Sequence, residues 1–196
     1  MVGTRGATAL ARAFLIDTAS LAARCDAAVT IVAFAPPSAR DRVSAVFPGA
    51  RLVAQPRGSF GTRLAGALDA GLERAQAVVL IGTDSPTLEA RLIGAAFAAL
   101  AGGADCVLGP SRDGGYYLIG CRARLPRTLF SSMPWSTTAV FSTTRDRIHA
   151  AGLRLALLPE RYDVDDAASL ALLRADRAGL RRAPATATTL RELGAA

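Results

Sequence analysis

The run Ala77-Val78-Val79-Leu80-Ile81-Gly82 carries no polar side chain and ends at Thr83-Asp84-Ser85-Pro86. A strand apolar on both faces must be covered on both faces, as in a parallel sheet with helices above and below it. The rest of the chain repeats this unit. Strand patterns occur at Val29–Phe34, Arg51–Gln55, Asp105–Gly109, Tyr116–Cys121 and Leu153–Leu158. Between them, apolar residues recur at helical spacing from Ala7 to Arg24 and from Gly61 to Arg74. Further helices are expected from a Ser38 cap to about Phe47, from a Thr87 cap to about Leu100, and from Thr137 to Ala151. Another is expected from Ala167 to about Arg177, capped by Asp165 or Asp166, with a short helix near Leu190. Strands alternating with helices predict a three-layer α/β domain with a mainly parallel sheet. Tyr116–Cys121 follows the previous strand too closely for a crossover and is expected to enter antiparallel.

Three acidic turns follow apolar strands. Asp84 follows the Val78 strand, Asp163 and Asp165 follow the Leu155 strand, and Asp113 sits in Gly109-Pro110-Ser111-Arg112-Asp113-Gly114-Gly115-Tyr116. Ligands of an open α/β sheet bind beyond the carboxyl ends of its strands. Carboxylates gathered there are hard oxygen ligands suited to Mg²⁺ or Mn²⁺. The paired glycines allow a tight turn and close approach of a ligand. A lone Asp in a turn has a plain structural role as well; three after separate strands point to a site.

The 196 residues suggest one domain, 1–196, with 178–196 as a C-terminal tail. Although 51% of residues are hydrophobic, no run approaches the ~18 apolar residues of a membrane span. The N-terminus has no secretory signal pattern, so a cytoplasmic location is expected. Cys25, Cys106 and Cys121 lack metal-site or disulfide spacing and read as small buried residues. The net charge is +7 and every basic residue is Arg, but no basic stripe with interleaved aromatics suggests nucleic-acid binding. A positive field favours anionic small substrates. His149, the only histidine, falls in the last turn of a helix, where a dipole contact suffices. No G-x-S-x-G occurs, which removes the serine-hydrolase reading. Trp135 reads equally as core or as a pocket wall.

Taken together, Gly82-Thr83-Asp84-Ser85-Pro86, Gly109 through Gly120, Trp135-Ser136-Thr137 and Asp163-Val164-Asp165 resemble the rSAM/selenodomain-associated transferase family 1, with a weaker match at Gly61-Thr62-Arg63-Leu64. That group is GT-A-like and related to nucleotidyltransferases of the molybdenum-cofactor and phospholactate guanylyltransferase kind. The resemblance runs from about Thr4 to about Leu173. It implies a nucleotide-binding α/β fold and a metal-dependent transferase.

Two departures from that pattern stand out. The family looks as though it begins with a strand and a glycine-containing loop ending in Lys-Thr-Arg-Leu. Here Met1-Val2-Gly3-Thr4-Arg5 stands in its place, so the first strand is expected to be missing. Asp166-Ala167-Ala168-Ser169 replaces Thr-Pro-Glu-Asp, a change that an Asp166 cap tolerates.

What the resemblance implies is a transferase acting on a nucleotide-linked donor, with glycosyl transfer foremost. The alternatives are a nucleotidyltransferase joining a nucleoside triphosphate to a small phosphorylated acid, and an inactive nucleotide-binding remnant. Asp84, Asp163 and Asp165 would hold the metal. Gly3, Thr4, Arg5, Gly61, Arg63 and Thr83 would approach the donor. Asp113, with Asp84 the expected catalytic pair, would face the acceptor with Gly114, Gly115, Tyr116, Trp135, Ser136 and Thr137. The missing strand predicts an unpaired edge beside Val29–Phe34 or Val78–Gly82, and with it homodimerisation or poor solubility.

Overall fold

A computed structural model describes residues 2–195. The chain forms α1 (Thr4–Ala23), β1 (Ile31–Phe34), α2 (Arg40–Val46), β2 (Arg51–Ala54), α3 (Phe60–Leu72), β3 (Val78–Ile81) and α4 (Ala90–Ala101). It continues through β4 (Cys106–Pro110), β5 (Tyr116–Cys121), α5 (Val140–Ala150), β6 (Leu155–Leu157), α6 (Ala167–Ala175), α7 (Arg177–Leu180) and α8 (Pro184–Ala195).

The caps explain where several helices begin. Ser59 accepts a hydrogen bond from the Thr62 amide and starts α3. Asp166 accepts from the Ser169 amide while the Ser169 hydroxyl accepts from the Asp166 amide, a reciprocal capping box for α6. Two expected caps are corrected. Ser38 lies inside a 3-10 turn, Pro37–Ala39, and α2 starts at Arg40 without a side-chain cap. The Thr87 hydroxyl donates to the Tyr162 hydroxyl instead, and α4 begins only after Glu89.

Val29–Phe34, Arg51–Gln55 and Val78–Gly82 were expected to lie in one sheet, yet two sheets form. β1 and β2 pair in parallel, Ile31 opposite Arg51. The other four strands have the order β3-β5-β4-β6. β5 is antiparallel to both β3 and β4, and β4 is parallel to β6. β3, β4 and β6 therefore run the same way and β5 alone runs against them. Among the described residues no strand pairs with the second edge of β1 or of β3. β3 shows the effect in its side chains. Val78, Val79, Leu80 and Ile81 are all half-buried, not enclosed on both faces as their composition suggested.

The core divides by the pleat. Val107 and Leu118 point to one face, against Leu92, Ile93, Ala96 and Leu100 of α4. Leu108 and Ile119, one residue on, point to the other face, against Leu64 and Leu68 of α3 and Ile148 of α5. Cys106 and Cys121 face each other across β4 and β5 with no disulfide, and burial pushes both thiols up to about 12. They are therefore unreactive.

The C-terminal helices are docked on this frame. Leu10 and Phe14 of α1 pack with Leu173 and Leu190. Asp17, only 1% exposed, accepts hydrogen bonds from the Ala185 and Thr186 amides at 3.1 and 2.8 Å. A side chain from the first helix thus caps the last one. Asp17→Ala leaves two amides near the start of α8 without an acceptor and is expected to cost about 2 kcal/mol. Thermal unfolding should shift down by about 5 °C; an unchanged melting temperature would show that the cap contributes nothing.

Candidate metal and substrate site

Because β3, β4 and β6 run together, the segments after their carboxyl ends meet at one rim of the sheet. Main-chain hydrogen bonds sew these segments to one another. The Val164 amide donates to the Asp84 carbonyl at 2.9 Å. The Arg112 amide donates to the Arg161 carbonyl and the Arg161 amide to the Pro110 carbonyl, each at 3.0 Å. Residues 161–166 have almost no regular structure, yet they are pinned at several points. Arg161 pairs with Glu89 at 2.9 Å, and the Tyr162 hydroxyl donates to Asp176 at 2.8 Å.

The turn between β4 and β5 aims Asp113 at the same rim. Its Oδ1 accepts from the Gly115 amide at 2.8 Å. Gly114 has φ +89°, and a Cβ there would collide with the Thr138 backbone. Only glycine fits both demands. At Gly82, a Cβ would run into the Asp84 carboxylate, which folds back over that residue.

Asp113, Asp163 and Asp165 each offer a carboxylate oxygen, and these oxygens lie within 4.8 Å of one another. Asp163 is half-buried; the other two are exposed. Asp84 borders the cluster closely enough to feel the charges of Asp165 and Asp113. Burial first, then the Asp113 charge, push the Asp163 carboxyl up to about 6. Asp84 is raised chiefly by burial and then by Asp165 and Asp113. Asp165 is raised by burial, Asp113 and Asp166. The chain has many arginines, but none forms an ion pair with Asp84, Asp113, Asp163 or Asp165 among the described residues. The rim is a patch of negative charge without a protein counter-charge.

Other expected site residues are distributed around it. Thr83 is exposed beside Asp84. Gly3, Thr4 and Arg5 are exposed at the start of α1, where no side chain caps the helix. Val2 packs against the same apolar cluster as Tyr162 and Val164. Gly61 and Arg63 lie in the first turn of α3. Tyr116 points into the core, and burial raises its hydroxyl above the ordinary phenol range. Trp135 is half-buried and meets Phe60 edge-to-face, ring centroids 4.7 Å apart. Ser136 has φ +62°, and the Thr137 hydroxyl donates to the Pro134 carbonyl. Phe60 was not singled out from the sequence, because one Phe at a helix start looks like any core anchor.

An open hollow of about 550 Å³ lies at the opposite end of β3 and β5, lined by Arg74, Arg122 and Arg124 among others. It is remote from the carboxylates. Two of its arginines are already paired, Arg122 with Asp105 and Arg124 with Asp69 and Glu73. The carboxylate rim therefore remains the candidate site.

The sheet order, the reversed β5 and the acidic rim define an α/β fold of the nucleotide-diphospho-sugar transferase and nucleotidyltransferase type. A crystal structure from Desulfovibrio desulfuricans G20, described as a "putative nucleotide-diphospho-sugar transferase", has a TM-score of 0.87 to this chain. The two are 29% identical, over 99% of this chain and 86% of that one. CMP:2-keto-3-deoxy-manno-octonic acid synthetase complexed with CTP shares the fold at TM-score 0.57 and 16% identity, over 84% of this chain and 87% of its own. So does 4-diphosphocytidyl-2C-methyl-D-erythritol synthase at 0.61 and 13%, over 83% and 89%. Among curated proteins no match to the chain is found. Residues 18–137 match the family described as "Uncharacterized protein conserved in bacteria (DUF2064)", and the chain belongs to that family.

Proposed function

We propose that this chain is a divalent-metal-dependent transferase acting on a nucleotide-linked donor, with glycosyl transfer from a nucleotide-sugar as the favoured reaction. Within that proposal it falls in the rSAM/selenodomain-associated transferase family 1. The observation that carries the reading is the uncompensated carboxylate cluster at the rim where α/β folds bind ligands. The donor set fits a hard cation. Two oxygens on opposite sides of Mg²⁺ or Mn²⁺ stand roughly 4.2 Å apart, so a 4.8 Å cluster needs only a small closure.

In this reading Asp163 and Asp165 hold the ion, with Asp84 and Asp113 beside them. The ion supplies charge neutralisation for the donor's phosphates. Asp113 stands on the side of the Gly114 turn and faces the acceptor as base or orienter. Gly61 and Thr83 approach the donor, and the start of α1 contributes uncapped amides; Arg63, which lies over Phe60, stands on the Trp135 side instead. A positive overall charge draws the anionic donor in. The group released from the donor decides between glycosyl and nucleotidyl transfer: release of nucleoside diphosphate supports the first, release of pyrophosphate the second.

Metal binding is tested through pH. A carboxyl whose folded value is raised holds its proton to higher pH, and that proton must leave before an ion enters. Affinity for Mn²⁺, measured by calorimetry, is therefore expected to rise as pH increases through about 6 and to level off above it. In the absence of metal the same group lowers stability as pH rises from about 4 to about 6, since the folded state binds the proton more tightly there than the unfolded state does. Asp163→Asn should abolish most Mn²⁺ binding in a folded protein. Equal Mn²⁺ affinity at about pH 5 and about pH 7.5 would overturn the metal site.

A further inference from the structure

Phe60 is the first residue of α3, yet it is 49% exposed. Nothing in the packing of the fold requires a large aromatic ring there. The ring is nevertheless held firmly. Trp135 meets it edge-to-face at 4.7 Å, and the Arg63 guanidinium lies 5.7 Å from its centroid. Arg63 Nε is itself buried and has no hydrogen-bond partner among the described residues. A buried N–H donor without an acceptor is rare in a folded chain and marks a place where a ligand atom can complete it.

The surroundings are rigid. A Cβ on Gly61 would stand 2.6 Å from the Phe130 carbonyl oxygen, so the start of α3 is pressed against the loop that leads to Trp135. Arg147 of α5 donates to the carbonyls of Thr128, Leu129 and Ser131 and ties that loop down. Ser132 and Ser136, on either side of Trp135, both adopt positive φ, at 46° and 62°. Non-glycine residues in that region are sparsely populated and collect at ligand-binding segments. The loop also abuts the acidic turn, because the Phe141 amide donates to the Gly114 carbonyl at 2.7 Å and Gly114 packs on Thr138. The segment that carries Trp135 is therefore joined to the Asp113 turn a few residues further on.

We propose that Phe60, Trp135 and Arg63 form the acceptor subsite, and that the acceptor is a ring-bearing oxyanion: a small molecule with a flat apolar ring and a carboxylate or phosphate beside it. The ring packs on Phe60 against Trp135. The oxyanion meets the guanidinium charge of Arg63, which forms no ion pair among the described residues. Assigning this subsite to the acceptor rests on the transferase reading; the binding of the ring does not.

Trp135 is the only tryptophan of the chain, so its fluorescence reports on this subsite directly. Phenyl phosphate and phenylacetate are the probes, with inorganic phosphate and benzyl alcohol as single-feature controls, all read with a chelator present. A saturable change with one or both ring oxyanions is expected, and the stronger of the two identifies the oxyanion. Inorganic phosphate and benzyl alcohol should bind at least about tenfold more weakly. Phe60→Ala should weaken the ring probes by about tenfold, and Phe60→Leu by less. The same ranking should appear in ligand-observed NMR, which does not depend on the Trp135 environment. Phe60 is exposed enough that both variants should fold, and circular dichroism checks this. If inorganic phosphate matches the ring probes, or Phe60→Ala binds them unchanged, the subsite is wrong. Because the chelator removes the metal, this result stands or falls separately from the Mn²⁺ titration.

Discussion

Asp113→Asn is expected to lower turnover of a nucleotide-linked donor by about 10²-fold or more while leaving donor affinity nearly unchanged. The amide has the size of the carboxylate and can still accept from the Gly115 amide, so the turn keeps its shape. What is lost is the negative charge and the proton acceptor facing the acceptor substrate. The cluster geometry supplies a second diagnosis in the same experiment. Asp113 shares the 4.8 Å group with Asp163 and Asp165. If its chief role is to hold the ion, Mn²⁺ affinity and donor affinity fall together with turnover. Removing its charge also relieves Asp163, whose carboxyl Asp113 helps to raise. The pH at which metal affinity climbs should then move down in the variant. Full activity in Asp113→Asn would reduce the residue to a turn former.

The second large effect is expected from closing the sheet. Among the described residues β1 pairs only with β2, and β3 only with β5, so each has a free hydrogen-bonding edge. Both strands are apolar, and apart from the buried Phe34 their residues are half-buried where a sheet interior would bury them. Such edges are templates for another strand. A five-residue apolar strand with a Lys-containing loop, fused ahead of Val2, is expected to raise the melting temperature by about 5–10 °C and to strengthen nucleotide binding. Without it, the chain should associate as its concentration rises, and sedimentation would show this association lost in the fused protein. No gain in melting temperature would mean these edges are already well satisfied. A turnover of about 1 s⁻¹ or faster in the unfused chain would show that the site functions without that strand.

Periodicity made most of the fold legible. Strand cores such as Val78–Ile81 and Tyr116–Cys121 are apolar runs bounded by Gly, Pro and Asp, and they form where that pattern puts them. Helix starts were less readable, because a cap is decided by whoever wins the side chain. Thr87 looked like a cap, but Tyr162, 75 residues away, takes its hydroxyl. The site was legible to the extent that its residues are chemically unusual in turns. Asp84, Asp113, Asp163 and Asp165 all follow strand ends, so their convergence follows from parallel strands alone. Which three come closest depends on the Arg112–Arg161 and Asp84–Val164 main-chain bonds, and no local pattern encodes those. Asp17 shows the same limit: inside an apolar helix its role becomes visible only when α8 arrives.

That last contact also bears on how the protein is made. The Asp17–Thr186 hydrogen bond spans 169 residues. Ribosomal synthesis delivers α1 well before α8, so Leu10 and Phe14 have no Leu190 to cover them until the segments between have been made. Contacts this distant along the chain slow folding, because their loop must close before they contribute. The nascent chain therefore carries the apolar face of α1 uncovered while the intervening residues are made, and that face is a natural place for a chaperone to hold it.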